Sequence, residues 1–164
     1  MKKFNVLLVE DNPGDVLLTS EALQESKYLI EMEVVYNGKE GVDYLFKSGK
    51  YADRPTPDVV LLDINLPLKN GHEVLRDIKS NDSTRDIPVI MLTTSSGQED
   101  ILSSYQEQAS SYIVKPAEAD QFEEFVKVFD RFCETLIWYR WAYKPLFNLS
   151  SWIFSFPESA IPQS

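Results

Sequence analysis

Acidic, hydroxyl and ammonium side chains stand directly after short apolar runs: Glu10 and Asp11 after residues 6–9, Asp63 after 59–62, Thr93 and Thr94 after 89–92, and Lys115 after 112–114. If those runs are strands of one sheet, the polar groups share its rim. Three carboxylates gathered there (Glu10, Asp11, Asp63) would repel one another unless a cation joined them, and hard oxygen donors select Mg²⁺ or Mn²⁺. A divalent cation and an ammonium beside a carboxylate suit phosphoryl transfer, because both oppose the charge on the equatorial oxygens while the carboxylate attacks in line. On this chemistry Asp63 becomes an acyl phosphate, the Thr93 hydroxyl donates to a phosphoryl oxygen and Lys115 supplies the opposing charge. A cis peptide between Lys115 and Pro116 is expected to aim the ammonium into the site.

The elements that must position these groups are short β-branched or aliphatic runs, each followed by a segment of helical period, an alternation that argues for parallel strands with crossover helices. Strands are expected at residues 4–9, 30–36, 58–62, 88–92 and 111–114, with helices at 14–26, 38–46, 71–80, 98–107 and 119–139. The second strand alternates apolar and acidic residues, as an edge strand with one wet face does; the others are continuous, as strands covered on both faces are. In such a sheet ligands bind beyond the carboxyl ends of the strands, which is where the acids, the threonines and the lysine fall. Asn37 and Asn70 each precede a glycine and are read as caps or turns. Residues 47–57, with Gly49, Pro55 and Pro57, read as a surface loop.

Composition narrows the partners. The chain has 164 residues, 43% of them apolar, enough for one domain with an appendage. Its net charge of -10 makes nucleic acid and anionic lipid surfaces poor direct partners. A single cysteine, Cys133, excludes an intrachain disulfide and a cysteine-rich zinc site. No apolar run approaches the roughly 20 residues of a membrane span, and the run at 6–9 is too short for a signal peptide. A cytoplasmic setting is expected.

Taken in order and spacing, Glu10-Asp11, the run 59–62 into Asp63, Leu66-Pro67 before Asn70-Gly71, the run 89–92 into Thr93, and residues 112–116 resemble the bacterial two-component response-regulator receiver domain, over about residues 4–135. The resemblance implies an α/β flavodoxin-like (βα)5 doubly wound parallel sheet in strand order 2-1-3-4-5. It implies a single-domain response regulator that accepts phosphate on Asp63 from a sensor histidine kinase and catalyses only its own phosphorylation and dephosphorylation. Metal binding would then fall to Asp11, Asp63 and the backbone carbonyl of Asn65, with Glu10 acting mostly through water. Thr93 and Tyr112 would form the coupled switch, the hydroxyl moving toward the phosphoryl group as the ring turns inward. Within the family, residues 10–15, the long loop before Asp58 and residues 93–96 resemble the single-domain regulators of cyanobacterial phytochromes. Thr94 departs from the pattern, since many receivers carry a smaller residue there, and access of water to the acyl phosphate is expected to differ.

Other readings stand beside this one. A haloacid-dehalogenase-type phosphohydrolase also uses an aspartate nucleophile with Mg²⁺, but its acid would fall at Asn65, which cannot deliver a proton. A receiver-like interaction domain without chemistry would be expected to lack the acceptor or the lysine. A P-loop has no matching motif, and one histidine, His72, read as solvent-exposed, gives a hydrolase triad nothing to stand on. The stripe Phe122, Phe125, Val126, Phe129, Phe132, Cys133 and Leu136 has the period of a packed helix face and needs no cofactor.

After residue 139 the character changes. The receiver is expected to occupy residues 1–139, and residues 140–164 to form an aromatic-rich extension with only Arg140, Lys144 and Glu158 as charges. Packing in cis and disorder are the plain readings of that extension. A homodimer interface is the functional one, because aromatic anchors concentrate at such interfaces. The downstream protein that receives the output is not identified by the sequence.

Overall fold

The computed structural model describes residues 1–94 and 106–142. The helix expected at 98–107 lies outside the described residues except for its last two positions, as does the aromatic segment beyond Ala142.

The strands are β1 (Lys3–Val9), β2 (Leu29–Val35), β3 (Val59–Asp63), β4 (Val89–Thr93) and β5 (Ser111–Val114), all parallel and hydrogen-bonded in the order β2-β1-β3-β4-β5. The helices are α1 (Pro13–Gln24), α2 (Gly38–Leu45), α3 (Gly71–Ser80) and a C-terminal helix (Phe122–Ala142), which follows a single 3-10 turn at Ala119–Gln121. This is the expected doubly wound sheet.

Alternation along the central strands divides the apolar side chains between two cores. Phe4, Val6, Leu8, Leu61, Ile90 and Ile113 meet α1 and the C-terminal helix on one face. Leu7, Val9, Val60, Leu62 and Met91 meet α2 and α3 on the other. Both faces of β3 and β4 are therefore dry, which explains their unbroken apolar sequence. The last-helix stripe belongs to the first core: Phe125, Phe129, Cys133 and Leu136 are buried there.

β2 is an edge strand whose Ile30, Met32 and Val34 face the first core while Glu31 and Glu33 face water, as the alternation predicts. β5 departs from expectation. It forms the opposite edge of the sheet among the described residues, and of its four residues only Ile113 is buried.

Local signals set the helix starts. The Asn12 side chain accepts from the backbone N–H groups of Gly14 and Asp15 at 2.8 and 3.2 Å, with Pro13 in the first turn. Asn37 caps α2 through Glu40, and Asn70 forms a reciprocal capping box with Glu73 on α3. Two glycines then bring these starts against the loop after β3. A Cβ on Gly71 would lie 2.3 Å from the Asp63 carbonyl oxygen, and one on Gly38 would lie 1.8 Å from the Lys69 carbonyl oxygen. The loop expected at 47–57 holds one 3-10 turn, Gly49–Tyr51, whose Tyr51 ring packs on Tyr44 with centroids 5.3 Å apart.

Candidate active site at the strand ends

Register brings the candidate residues together. Val9 pairs with Leu62, so Glu10 and Asp63 are level; Asp63 pairs with Leu92, and Thr93 pairs with Val114, one residue before Lys115. Glu10, Asp63 and Lys115 continue the alternation of Leu8, Leu61 and Ile113, the residues that face the first core. All three therefore turn toward the face that α1 covers.

The resulting cluster is buried and charged. Glu10 is 1% exposed, Asp63 3% and Lys115 8%. The Lys115 Nζ lies 2.7 Å from Asp15, 3.0 Å from Glu10 and 3.4 Å from Asp63. Both oxygens of Glu10 are engaged, one by Lys115 and the other by the backbone N–H of Asn12 at 3.1 Å. Exposed Asp11 completes a group in which one carboxylate oxygen each from Glu10, Asp11 and Asp63 lies within 4.8 Å of the others. Among the described residues this is the one acidic group with that geometry.

Burial pushes the Glu10 carboxyl up to about 7, with the Asp63 charge adding to it and the Asn12 hydrogen bond and Lys115 opposing it. Burial likewise raises Asp63, offset in part by Lys115 and by a backbone hydrogen bond from Asn65. For Lys115 burial disfavours the charge, but the hydrogen bonds to Asp15 and Glu10 prevail and its pKa is raised. The ammonium thus stays charged, while the two buried carboxylates carry more negative charge than one lysine offsets. Oxygen donors, excess negative charge and an exposed third carboxylate fit a hard divalent cation held by Glu10, Asp11 and Asp63.

Thr93 is buried at the end of β4, and its backbone carbonyl accepts the Lys115 N–H at 2.8 Å. Tyr112 is half-buried against the second core and pairs with Met91, so register puts Tyr112 and Thr93 on the same side of the sheet. Asn65 is exposed two residues past Asp63.

Some expectations need correction. There is no cis peptide among the described residues, Lys115–Pro116 included; the long lysine side chain reaches the acids from a trans backbone. His72 is not free in solvent. It is half-buried, and its Nδ1 lies 2.6 Å from Glu107, a partner 35 residues away that packing against α3 brings near. The residue that sequence reasoning missed is Asp15. It was visible only as an acid in a helix first turn, where such residues are common.

Known proteins share this fold and part of this sequence. The response regulator receiver domain model matches residues 6–127. The response regulator Rcp1 of Synechocystis sp. is 39% identical over 110 residues, 67% of this chain and 75% of that one. The probable methanogenesis regulatory protein FilR2 of Methanothrix harundinacea is 35% identical over 142 residues, 87% of this chain and 88% of its own. Among solved structures, the Mn²⁺-bound form of Rcp1 superposes with a TM-score of 0.73 at 35% identity, covering 80% of this chain and 96% of that one. The phosphorylated cyanobacterial phytochrome response regulator RcpA gives 0.71 at 38%, covering 82% and 94%.

Proposed function

The chain belongs to the response regulator receiver family, and on that premise we propose that Asp63 is its phosphoryl acceptor, served by a sensor histidine kinase. The observation that carries the assignment is the Asp63 carboxylate itself: buried at the carboxyl rim of the sheet, beside two further carboxylates and 3.4 Å from a lysine ammonium. In the transfer an Asp63 oxygen forms the new P–O bond as the P–N bond of a phosphohistidine breaks, and the departing imidazole nitrogen keeps the electron pair. Bound at Glu10, Asp11, Asp63 and the Asn65 carbonyl, Mg²⁺ or Mn²⁺ would oppose the charge of the transferring group. Lys115 faces the same group from the β5 side. The Thr93 hydroxyl donates to a phosphoryl oxygen, and Tyr112, on the same side of the sheet, follows it inward.

The protein acts as a signalling switch and turns over no separate substrate; its catalysis is limited to its own phosphorylation and dephosphorylation. Similarity to RcpA supports a phytochrome-type kinase as donor. With no helix among the described residues long and apolar enough to cross a membrane, a cytoplasmic setting is consistent with this role. The receiver is assigned to residues 1–139 and the aromatic extension to 140–164, with the extension serving a homodimer and an as yet unidentified downstream protein taking the output. Neither a phosphohydrolase nor a receiver without chemistry is favoured, since Asn65 cannot act as an acid and both Asp63 and Lys115 are present.

The test is phosphotransfer from a panel of histidine kinases, phytochrome-type kinases included, to the full chain with Mg²⁺. Acid-labile phosphate is expected on the native protein and none on Asp63→Asn, which keeps the volume and removes the nucleophile. Phosphate retained by the variant overturns the assignment.

A further inference from the structure

We propose that Asp15 is a positioning residue that competes with the phosphoryl group for the Lys115 ammonium and so favours the unphosphorylated site. The proposal rests on the assignment of Asp63 as acceptor. An ammonium has three N–H donors, and three carboxylates face this one. Its shortest contact, 2.7 Å, goes to Asp15, which is not one of the three acids grouped as for a metal. Asp63, the residue that reacts, is the most distant partner at 3.4 Å.

The backbone that carries Asp15 is held in place. Its backbone N–H is capped by the Asn12 side chain, and the Asn12 N–H is bound in turn to Glu10. Asn12, Asp15, Lys115 and Glu10 thus close a hydrogen-bonded ring beside the acceptor. When Asp63 carries a phosphoryl group, the negative charge there grows and moves outward along the new P–O bond. Lys115 can give that group its full donor capacity only by lengthening or leaving the contact with Asp15. A carboxylate on a tethered backbone that the lysine must leave opposes the phosphorylated state. Asp15 is 29% exposed, so water replaces the lysine readily and the opposition is moderate.

The experiment phosphorylates the full chain with acetyl phosphate and Mg²⁺, removes the donor, and follows the loss of acid-labile phosphate as water regenerates the Asp63 carboxylate and inorganic phosphate. Asp15→Asn and Asp15→Ser are each compared with the native protein and again in a Lys115→Ala background, with thermal unfolding as the control for folding. The expected result is a lifetime about threefold to tenfold longer when Asp15 is replaced, the range for a partly screened charge-assisted hydrogen bond. No change is expected where Lys115 is absent. An equal change in both backgrounds would mean that Asp15 acts through its field and not through the lysine, which overturns the proposal, as does an unchanged lifetime in the native background. If the native protein takes no phosphate on Asp63, the acceptor assignment fails and this proposal falls with it; a phosphorylated protein indifferent to Asp15 sinks this proposal alone.

Discussion

Lys115 stands farther from Asp63 than from either of its other two carboxylate partners, 3.4 Å against 2.7 and 3.0 Å. Its larger task in the resting protein is to neutralise buried acids. Lys115→Ala leaves those acids without their cation, and breaking a buried pair in this way costs about 3 kcal/mol or more. Unfolding measured without Mg²⁺ should show that loss, and saturating Mg²⁺ should recover most of it. Phosphorylation of the variant should persist while a structural response such as dimerisation fails. Parallel loss of both would show that the lysine serves the transfer itself.

Glu10 sets a pH dependence. Its folded carboxyl titrates near 7, above the ordinary 4.5, chiefly through burial. Between those values the folded protein keeps a proton that the unfolded chain has lost, so this group's contribution to stability falls as pH rises through that window. A metal requires the ionised form. Mg²⁺ affinity measured by calorimetry should therefore rise from pH 5.5 to pH 7.5, with proton release on binding that is largest near the lower end. Affinity independent of pH would remove Glu10 from the metal site.

Gly71 is the point where α3 meets the acceptor strand. Gly71→Ala puts a methyl group 2.3 Å from the Asp63 carbonyl oxygen and 2.7 Å from the Ile64 Cα, both backbone atoms that no rotamer change can move. A loss of about 2–3 kcal/mol is expected in denaturant titration, together with slower phosphotransfer because Asp63 must shift. Native stability in the variant would show that the two segments separate easily.

Thr19 gives a prediction of opposite sign. Its hydroxyl is buried in α1 and has no hydrogen-bond partner among the described residues. Thr19→Val keeps the shape and removes the unsatisfied group, so it should raise stability by about 1 kcal/mol. A lower melting temperature would place a water or a partner at that hydroxyl.

The dimer reading is tested by truncation, and the structure fixes where to cut. Leu136 and Tyr139 are buried, and Arg140 pairs with Asp58 at 2.7 Å, so a chain ending near residue 134 would lose part of the domain itself. A chain ending at Ala142 keeps it. Sedimentation should show the full chain self-associating and the shortened one monomeric; a monomeric full chain, phosphorylated or not, removes the homodimer.

Much of this site was legible in sequence because Glu10, Asp63, Thr93 and Lys115 each follow an apolar run, and parallel strands put such residues on one rim. The face to which the acids and the lysine turn became clear only from the observed register and core. Nor did the sequence carry partnerships between distant residues: Asp15 with Lys115 across 100 positions, and His72 with Glu107 across 35. Neither pair has a local pattern, since each joins residues that only the tertiary fold brings together. The sequence does not set the isomer at Pro116, and the length of the lysine side chain lets the ammonium reach the acids from a trans bond.

Asp58 precedes β3 at the amino end of the sheet and holds two segments at once, the Asn5 backbone N–H through one oxygen and Arg140 through the other. The C-terminal helix therefore runs from the reactive rim to the opposite pole, 21 residues or about 30 Å away. The Arg140–Asp58 anchor and the acceptor Asp63 thus lie at opposite ends of one helix, and a contact made near Arg140 would leave the approach to Asp63 open.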